Sequence, residues 1–200
     1  MNFLAHAYLS GTNPKILTGN FIADFVKGKQ ALKSFEHDIA KGIELHRLID
    51  EFTDEHPVVK ESKIRLRPKY RHYAAVIVDV FYDHFLASNW EQYHHKPLED
   101  FAAGVYRTIH AFDAVVPPGI QQMMPYMISG NWLVNYAKLE GIGRALTGMS
   151  RRTPYLSKMD ESVEDLRKDY DLYKTEFDIF FPLLKMMCDN WLERFNQTRV

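Results

Sequence analysis

One stretch, Ala74 to Trp90, limits the fold more than any other because it is apolar almost all round a helical wheel. A helix of this kind has to be buried, so other elements must cover it. Two carboxylates, Asp79 and Asp83, nevertheless lie one turn apart within it. Burying an unpaired carboxylate costs on the order of several kcal/mol. We therefore expect both residues to be paired, protonated or bound to a metal.

A second stretch places charge on a face that should turn inward. His46, Asp50 and Asp54 follow one another at intervals of four residues, so on a helix they stack along one face. Ile39 and Ile43 lie on the same stripe just upstream. The polar residues therefore continue the apolar face of the helix instead of its solvent-exposed face.

The two stretches together indicate a site for a divalent cation. Imidazole nitrogens and carboxylate oxygens are its usual protein ligands. In the simpler alternative, His46 and Asp50 only pair with each other or cap neighbours, while Asp79 and Asp83 meet arginines. For each residue alone the two interpretations stay open, but the group as a whole favours a metal.

The length and composition predict one all-α domain. A chain of 200 residues with 46% hydrophobic content can bury a sizeable core. Alternating β-branched runs are sparse, and Val76 to Val78 lies within a longer helical pattern. We expect a single helical bundle over residues 1–200.

Charge and cysteine content exclude several classes of protein. The net charge of -1 argues against a globally basic nucleic-acid binder. The N-terminus lacks the pattern of a secretory signal, and no run approaches the ~18 apolar residues of a membrane span. The single cysteine, Cys188, cannot form an internal disulfide. A cytoplasmic protein is therefore expected, without membrane or nucleic-acid partners.

Local signals set three expectations about the helices. Thr18-Gly-Asn20 is typical of a helix start and predicts a helix from Phe21 to Lys27. Pro68 is expected to break the segment before the central helix. Glu161 to about Phe195 is expected to form one long amphipathic helix that can bend at Pro182.

A basic segment precedes the central helix. It contains one acidic residue, Glu61, among Lys60, Lys63, Arg65, Arg67, Lys69 and Arg71. A solvated face is the default interpretation of such a segment. Its position also allows it to flank the site and attract an anionic substrate or an acidic partner.

Six motifs give the chain a resemblance to a known family, the bacterial acyl carrier protein phosphodiesterases. They occur in the family's order and at similar spacing along nearly the whole chain. The motifs are Asn2-Phe-Leu-Ala-His6; Gly19-Asn20 with Asp24-Phe-Val-Lys-Gly28; Gly42-Ile with His46-Arg47 and Ile49-Asp50; Asp79-Val with Asp83-His84-Phe-Leu86; Trp132-Leu-Val134; and Gly148-Met-Ser-Arg-Arg152.

The resemblance implies a hydrolase that removes 4'-phosphopantetheine from holo acyl carrier protein and leaves the apo carrier. The family is similar to a distant, all-helical branch of the HD-type metal phosphohydrolases and is associated with manganese. This chain has no adjacent His-Asp pair; Asp83-His84 has the reverse order. HD ligands therefore cannot be assigned one by one.

The resemblance and the residue chemistry together suggest the site residues. The candidate metal ligands are His6, Asp24, His46, Asp50, Asp79 and Asp83. The candidate catalytic residues are Asp24, Asp50, Arg47 and His84, with Arg47 gripping phosphate and His84 supporting the ligands. Because acyl carrier proteins are acidic, Arg65, Arg67, Lys69 and Arg71 are the candidate partner-binding residues.

Two other functions fit the same residues. One is an HD-like phosphohydrolase for a nucleotide or another small phosphate ester, because one scaffold can serve many substrates. The other is a helical module that binds acyl carrier protein without catalysis and uses the inward Asp and His side chains as a structural network. A cation requirement separates the enzymes from the binding module.

Overall fold

The computed structural model describes residues 1–28 and 30–197, and within them it confirms the all-α prediction. These residues contain no β-strand, and none of their helices combines the length and apolar character that crossing a membrane requires. The helices are α1 (Phe3–Tyr8), α2 (Pro14–Ile22), α3 (His37–Glu55), α4 (Pro57–Tyr70), α5 (Ala74–Ser88), α6 (Leu98–Ala111), α7 (Pro118–Ser129), α8 (Trp132–Asn135), α9 (Leu139–Arg152), α10 (Ser162–Lys168) and α11 (Tyr170–Gln197).

The apolar stretch becomes α5, which packs against α1, α4, α9 and α11. Most of its side chains are fully buried, as its composition predicts. One edge stays open, however, because Val76 is 40% exposed and Asp79 is partly exposed. This open edge faces the cleft described below.

Asp83 lies on the closed side of α5 and anchors α1. Its carboxylate accepts hydrogen bonds from the backbone amides of Leu4 (2.8 Å), Ala5 (3.2 Å) and Asn2 (3.3 Å). These are the amides at the start of α1 that have no partner within the helix. Burial raises the pKa of Asp83 to about 7 against the opposing effect of these donors. The contacts fix the position of α1, and with it His6.

Helices α2 and α3 cross in backbone contact, which two glycines make possible. A Cβ atom on Gly19 would lie 2.0 Å from the carbonyl oxygen of Ile39, and one on Gly42 would lie 2.2 Å from that of Ile16. No other residue fits at either position. The contact brings the end of α2 against the middle of α3, where His46 lies.

The predicted helix from Phe21 to Lys27 is wrong. Asn13 caps an earlier start at Pro14, since its side chain accepts from the amides of Lys15 and Ile16. The Thr18-Gly-Asn20 signal therefore lies inside α2. Beyond Ile22 only a 3₁₀ turn, Ala23–Phe25, follows.

Two further helix predictions need correction. The segment from Glu161 to Phe195 is interrupted at Asp169, which separates α10 from α11. Pro68 does not break α4, which continues to Tyr70. The carbonyl that Pro68 leaves without a donor belongs to Ile64, a residue that is 52% exposed, so water can satisfy it.

Candidate metal centre

Three of the proposed ligands, His6, His46 and Asp50, meet between α1 and α3. Each of the three offers a ligand atom, and these atoms all lie within 4.8 Å of one another. The carboxylate of Asp50 lies 3.3 Å from Nε2 of His6 and 3.1 Å from Nε2 of His46. The imidazole rings stack with centroids 3.9 Å apart, and both are buried.

Asn20 on α2 orients both rings. Nδ1 of His6 donates to Oδ1 of Asn20 over 2.8 Å, and Nδ1 of His46 donates to the backbone oxygen of Asn20 over 2.8 Å. Because these oxygens only accept hydrogen bonds, the proton of each neutral ring lies on Nδ1. Both Nε2 lone pairs therefore point toward Asp50.

With both rings neutral, no hydrogen lies where the acceptors meet. Nε2 of His6 is buried and has no hydrogen-bond partner, although Asp50 lies at ion-pair distance. Two lone pairs and a carboxylate repel one another unless a positive charge lies among them. A divalent cation supplies that charge, and the nitrogen and oxygen donors suit it.

The protonation states agree with a shared positive charge. Burial opposes protonation of His46, but hydrogen bonds to Asp24 and Asp50 outweigh it and raise its pKa to about 9. Burial and the charge on His46 lower the pKa of His6. Burial favours the neutral acid of Asp50, but both imidazoles outweigh it and lower its pKa. Without a cation, the proton on His46 therefore supplies the positive charge among these groups.

Two further carboxylates surround this cluster. Oδ1 of Asp24 lies 3.2 Å from Nε2 of His46, and its side chain is 65% exposed. Oδ1 of Asp79 lies 3.0 Å from the α-amino group of Met1, which is also 3.8 Å from Asp50. Both carboxylates stand beside the cluster instead of joining its three-residue set.

The carboxylates open into a cleft of about 300 Å³. Asp24, Asp50, Asp54 and Asp79 all line it. Asp54, the third member of the α3 stripe, pairs with Lys63 of α4. A substrate in this cleft would reach the carboxylate of Asp50 from solvent, while the two histidines stay covered behind it.

Arg47 and His84 lie outside this cluster. Arg47 donates to the backbone oxygens of Val26 and Gly28 over 3.3 and 3.2 Å, so it holds the segment that follows Asp24. His84 is buried between the backbone oxygen of Tyr136 (2.8 Å) and the hydroxyl of Tyr170 (3.0 Å). Direct roles for Arg47 and His84 in the reaction stay predictions.

The basic segment is partly engaged within the protein. Arg65 forms a forked ion pair with Glu176, with contacts of 2.6 and 3.1 Å. Lys69 pairs with Glu161 and Asp165 at 3.2 and 3.1 Å. The exposed residues Arg67 and Arg71 have no carboxylate within 4.0 Å in the described part of the chain. Partner binding by these four residues stays a prediction.

Asn20 contacts both imidazoles, and the sequence pattern alone does not single it out. In the sequence it belongs to a helix-start signal and to the Gly19-Asn20 motif. The motif was the available signal, because an amide directly after a glycine at a helix crossing can reach a neighbouring helix. The α-amino group of Met1, which pairs with Asp79, belongs to the backbone, so no side chain in the sequence indicates its role.

Comparison with known proteins identifies the family. The acyl carrier protein phosphodiesterase family profile matches residues 1–184. The chain is 36% identical to an acyl carrier protein phosphodiesterase of Enterobacter sp. (strain 638) over 191 residues, or 95% of this chain and 98% of the relative. A protein of the same name from Escherichia coli K12 is 37% identical over 183 residues, or 91% and 94%.

No solved structure matches the chain, so the likeness to HD-type phosphohydrolases stays a prediction. The profile and the relatives instead cover the α1, α2, α3 and α5 segments that build the cluster. The chain therefore belongs to the acyl carrier protein phosphodiesterase family.

Proposed function

We propose that this protein hydrolyses the phosphodiester of holo acyl carrier protein and releases 4'-phosphopantetheine and the apo carrier. The observation that carries this proposal is the cluster of His6, His46 and Asp50 beside an open acidic cleft. Membership in the family supplies the substrate class.

The cluster would hold a divalent cation through Nε2 of His6, Nε2 of His46 and the carboxylate of Asp50. Such a cation would neutralise the phosphoryl oxygens and lower the pKa of water. The resemblance makes manganese the proposed metal, and the mixed nitrogen and oxygen donors are compatible with it. Asn20 would hold both imidazoles in the tautomer that presents Nε2.

The remaining carboxylates provide the proton chemistry. The resemblance implies that the phosphodiester joins 4'-phosphopantetheine to a serine of the carrier protein. Hydrolysis joins a water oxygen to phosphorus and breaks the bond between phosphorus and the oxygen of this serine. Water gives up one proton, and the serine oxygen gains one from solvent in the open cleft. Asp24 is the proposed acceptor of the first proton, because its carboxylate is exposed to the cleft, and His46, which lowers its pKa, keeps it in the ionised form that can accept a proton. Asp79 would help to balance charge beside it.

The location proposed for this activity is the cytoplasm. Cys188 is a buried free thiol, which is compatible with a reducing compartment. The carrier protein and the enzyme must also be in the same compartment for the reaction to occur.

Intact-mass analysis of holo acyl carrier protein tests the function. The carrier is incubated with the protein and either manganese or a chelator, beside Asp50→Asn and the exposed control Asp100→Asn. We expect conversion to the apo mass only with manganese, with the control active and Asp50→Asn inactive. A carrier that stays holo in every reaction would refute the activity, and a screen of small phosphate esters would then test the other enzyme class.

A further inference from the structure

A basic groove of about 810 Å³ lies between the end of α4 and the loop that follows α9. Residues 68–73 form one wall, and residues 155–158 form the other. The lining contains Lys69, Arg71, His72 and Lys158 but neither Asp nor Glu. The groove is thus locally basic in a protein with a net charge of -1.

Two of its charges are available to a partner. Lys69 already pairs with Glu161 and Asp165. Arg71 and Lys158, in contrast, have no carboxylate within 4.0 Å among residues 1–28 and 30–197. Both have positive φ angles, 53° and 57°, and Lys158 is in the left-handed helical region. This conformation is strained outside glycine and recurs where a protein contacts its ligands.

The same groove exposes large apolar side chains. Tyr155 is 73% exposed and its neighbour Leu156 is 86% exposed. An apolar pair beside unpaired cations is the composition of a protein-binding surface. It fits an amphipathic helix that buries apolar side chains on this pair and brings carboxylates to Arg71 and Lys158.

The groove continues from the elements that line the acidic cleft. Tyr73 ends one wall, and α5 then supplies Ala75 and Val76 to the cleft. Helix α9 supplies Met149 to the cleft before the chain runs into the other wall. A protein bound in the groove therefore lies beside the opening through which its phosphodiester must enter.

We propose that this groove docks an acidic helix of the carrier protein substrate. The proposal rests on the proposed function and assigns the docking surface to Arg71, Lys158, Tyr155 and Leu156. Arg65 and Lys69 are not part of this docking surface, because both form ion pairs within the protein. The loop after α9 supplies Tyr155, Leu156 and Lys158 instead. Docking there separates recognition of the carrier from chemistry at the cluster.

The test combines binding with kinetics. Affinity for holo acyl carrier protein is measured by calorimetry in chelator, where no hydrolysis occurs. Rates are measured with manganese on holo carrier and on bis(4-nitrophenyl) phosphate. The variants are the double charge reversal Arg71→Glu with Lys158→Glu, and Leu156→Ala. The double reversal Lys96→Glu with Arg107→Glu is the matched control, because both are exposed basic residues outside the groove and outside the basic segment.

We expect the double reversal to weaken carrier binding and lower kcat/KM for holo carrier by about 10- to 100-fold at low salt, with a smaller effect at high salt. Its loss on the small diester should be at least tenfold smaller. Leu156→Ala should weaken carrier binding by about fivefold at both salt concentrations, since its contact is apolar. The control reversal of Lys96 and Arg107 should match the parent protein.

The outcomes separate docking from catalysis. Carrier binding that the reversal abolishes supports the groove even if no hydrolysis occurs, and the proposed function alone then fails. Carrier binding equal in parent and reversal variant, or absent from the parent, overturns the docking proposal. So does an equal loss on both substrates, or a parent dimer that the reversal dissociates without changing carrier binding.

Discussion

At the scale of single residues, Asn20 links two histidines that lie forty residues apart in the chain. Its side chain also donates to the backbone oxygen of His6 and to the hydroxyl of Ser10. Each group of the amide is therefore used, and the amide is buried. A side chain satisfied in this way holds His6 rigidly, which is what a metal ligand needs.

We predict that Asn20→Ala lowers manganese affinity by about 10- to 100-fold. The substitution leaves Nδ1 of His6 without its acceptor, so the ring loses its fixed orientation, while the backbone contact to His46 remains. Calorimetric titration of the metal-free protein measures the effect. Asn190→Ala, on the exposed face of α11, is the matched control. Equal affinities for both variants would contradict an orienting role for Asn20.

His84 gives the protein a dependence of stability on pH that is separate from the cluster. Burial lowers the pKa of His84 in the folded protein. The unfolded chain therefore binds a proton that the folded protein resists, so stability is lost as pH falls below about 6.5. Above that pH the neutral ring keeps its contacts with Tyr136 and Tyr170.

We predict that His84→Gln flattens this dependence. The contribution of His84 is at most about 1.4 kcal/mol per pH unit below pH 6.5. The variant should be less stable at pH 7.5 by about 2 kcal/mol, because two buried hydrogen bonds are lost or weakened. Urea unfolding between pH 5 and 8 measures both quantities. A slope below pH 6.5 equal to that of the parent protein would disprove the assignment.

Single-residue inference from sequence succeeded where spacing along one helix carried the information. The interval of four residues between His46 and Asp50 places both on one face, and the structure brings them together. The same reasoning could not separate Asp79 from Asp83. The two are one turn apart, yet α1 covers Asp83 while Asp79 stays at the cleft. That difference depends on a helix nearly eighty residues away in sequence.

At the scale of helices, the crossing of α2 and α3 sets the geometry of the cluster. Gly19 and Gly42 let the two backbones touch. Asn20 follows Gly19 directly, and His46 lies one turn beyond Gly42. The distance between these helices therefore controls whether Asn20 can reach the imidazole of His46.

We predict that Gly19→Ala destabilises the protein by about 3 kcal/mol or more and weakens manganese binding. Its Cβ would lie 2.0 Å from a backbone oxygen, so the helices must separate. Gly104→Ala is the matched control, because the nearest atom to its Cβ is the end of the Arg107 side chain at 4.0 Å. The control should gain up to about 1 kcal/mol in helix propensity. Urea unfolding compares them, and equal stabilities would refute the close crossing.

The sequence predicted helices well where the apolar pattern was long and less well at their ends. The apolar pattern from Ala74 to Trp90 comes within two residues of the structural bounds of α5. The predicted start of α2 is wrong because Asn13 and Thr18-Gly-Asn20 offer competing signals, and pattern alone cannot rank two caps five residues apart. Which helix crosses α2 depends on tertiary packing, which a local sequence pattern does not encode.

At the scale of the whole molecule, the cluster joins segments that are distant in the chain. His6 comes from α1, while His46 and Asp50 come from α3, and α2 lies between them in sequence. The unfolded chain cannot hold these three ligands together without paying for loop closure. A cation that binds all three groups therefore binds the folded protein in preference to the unfolded chain, and its binding energy adds to folding stability.

We predict that manganese raises the melting temperature. At a free concentration of 100 times Kd the stabilisation is about 2.7 kcal/mol, which corresponds to a shift of about 5–10 °C in a protein of this size. Excess chelator should reverse the shift, and Asp50→Asn should remove most of it because the three-residue set then loses its negative charge. Differential scanning calorimetry measures the three conditions. A shift of equal size in Asp50→Asn, or no shift in the parent protein, would place the cation elsewhere or exclude it, and the cluster would then be a proton-sharing structural network centred on His46.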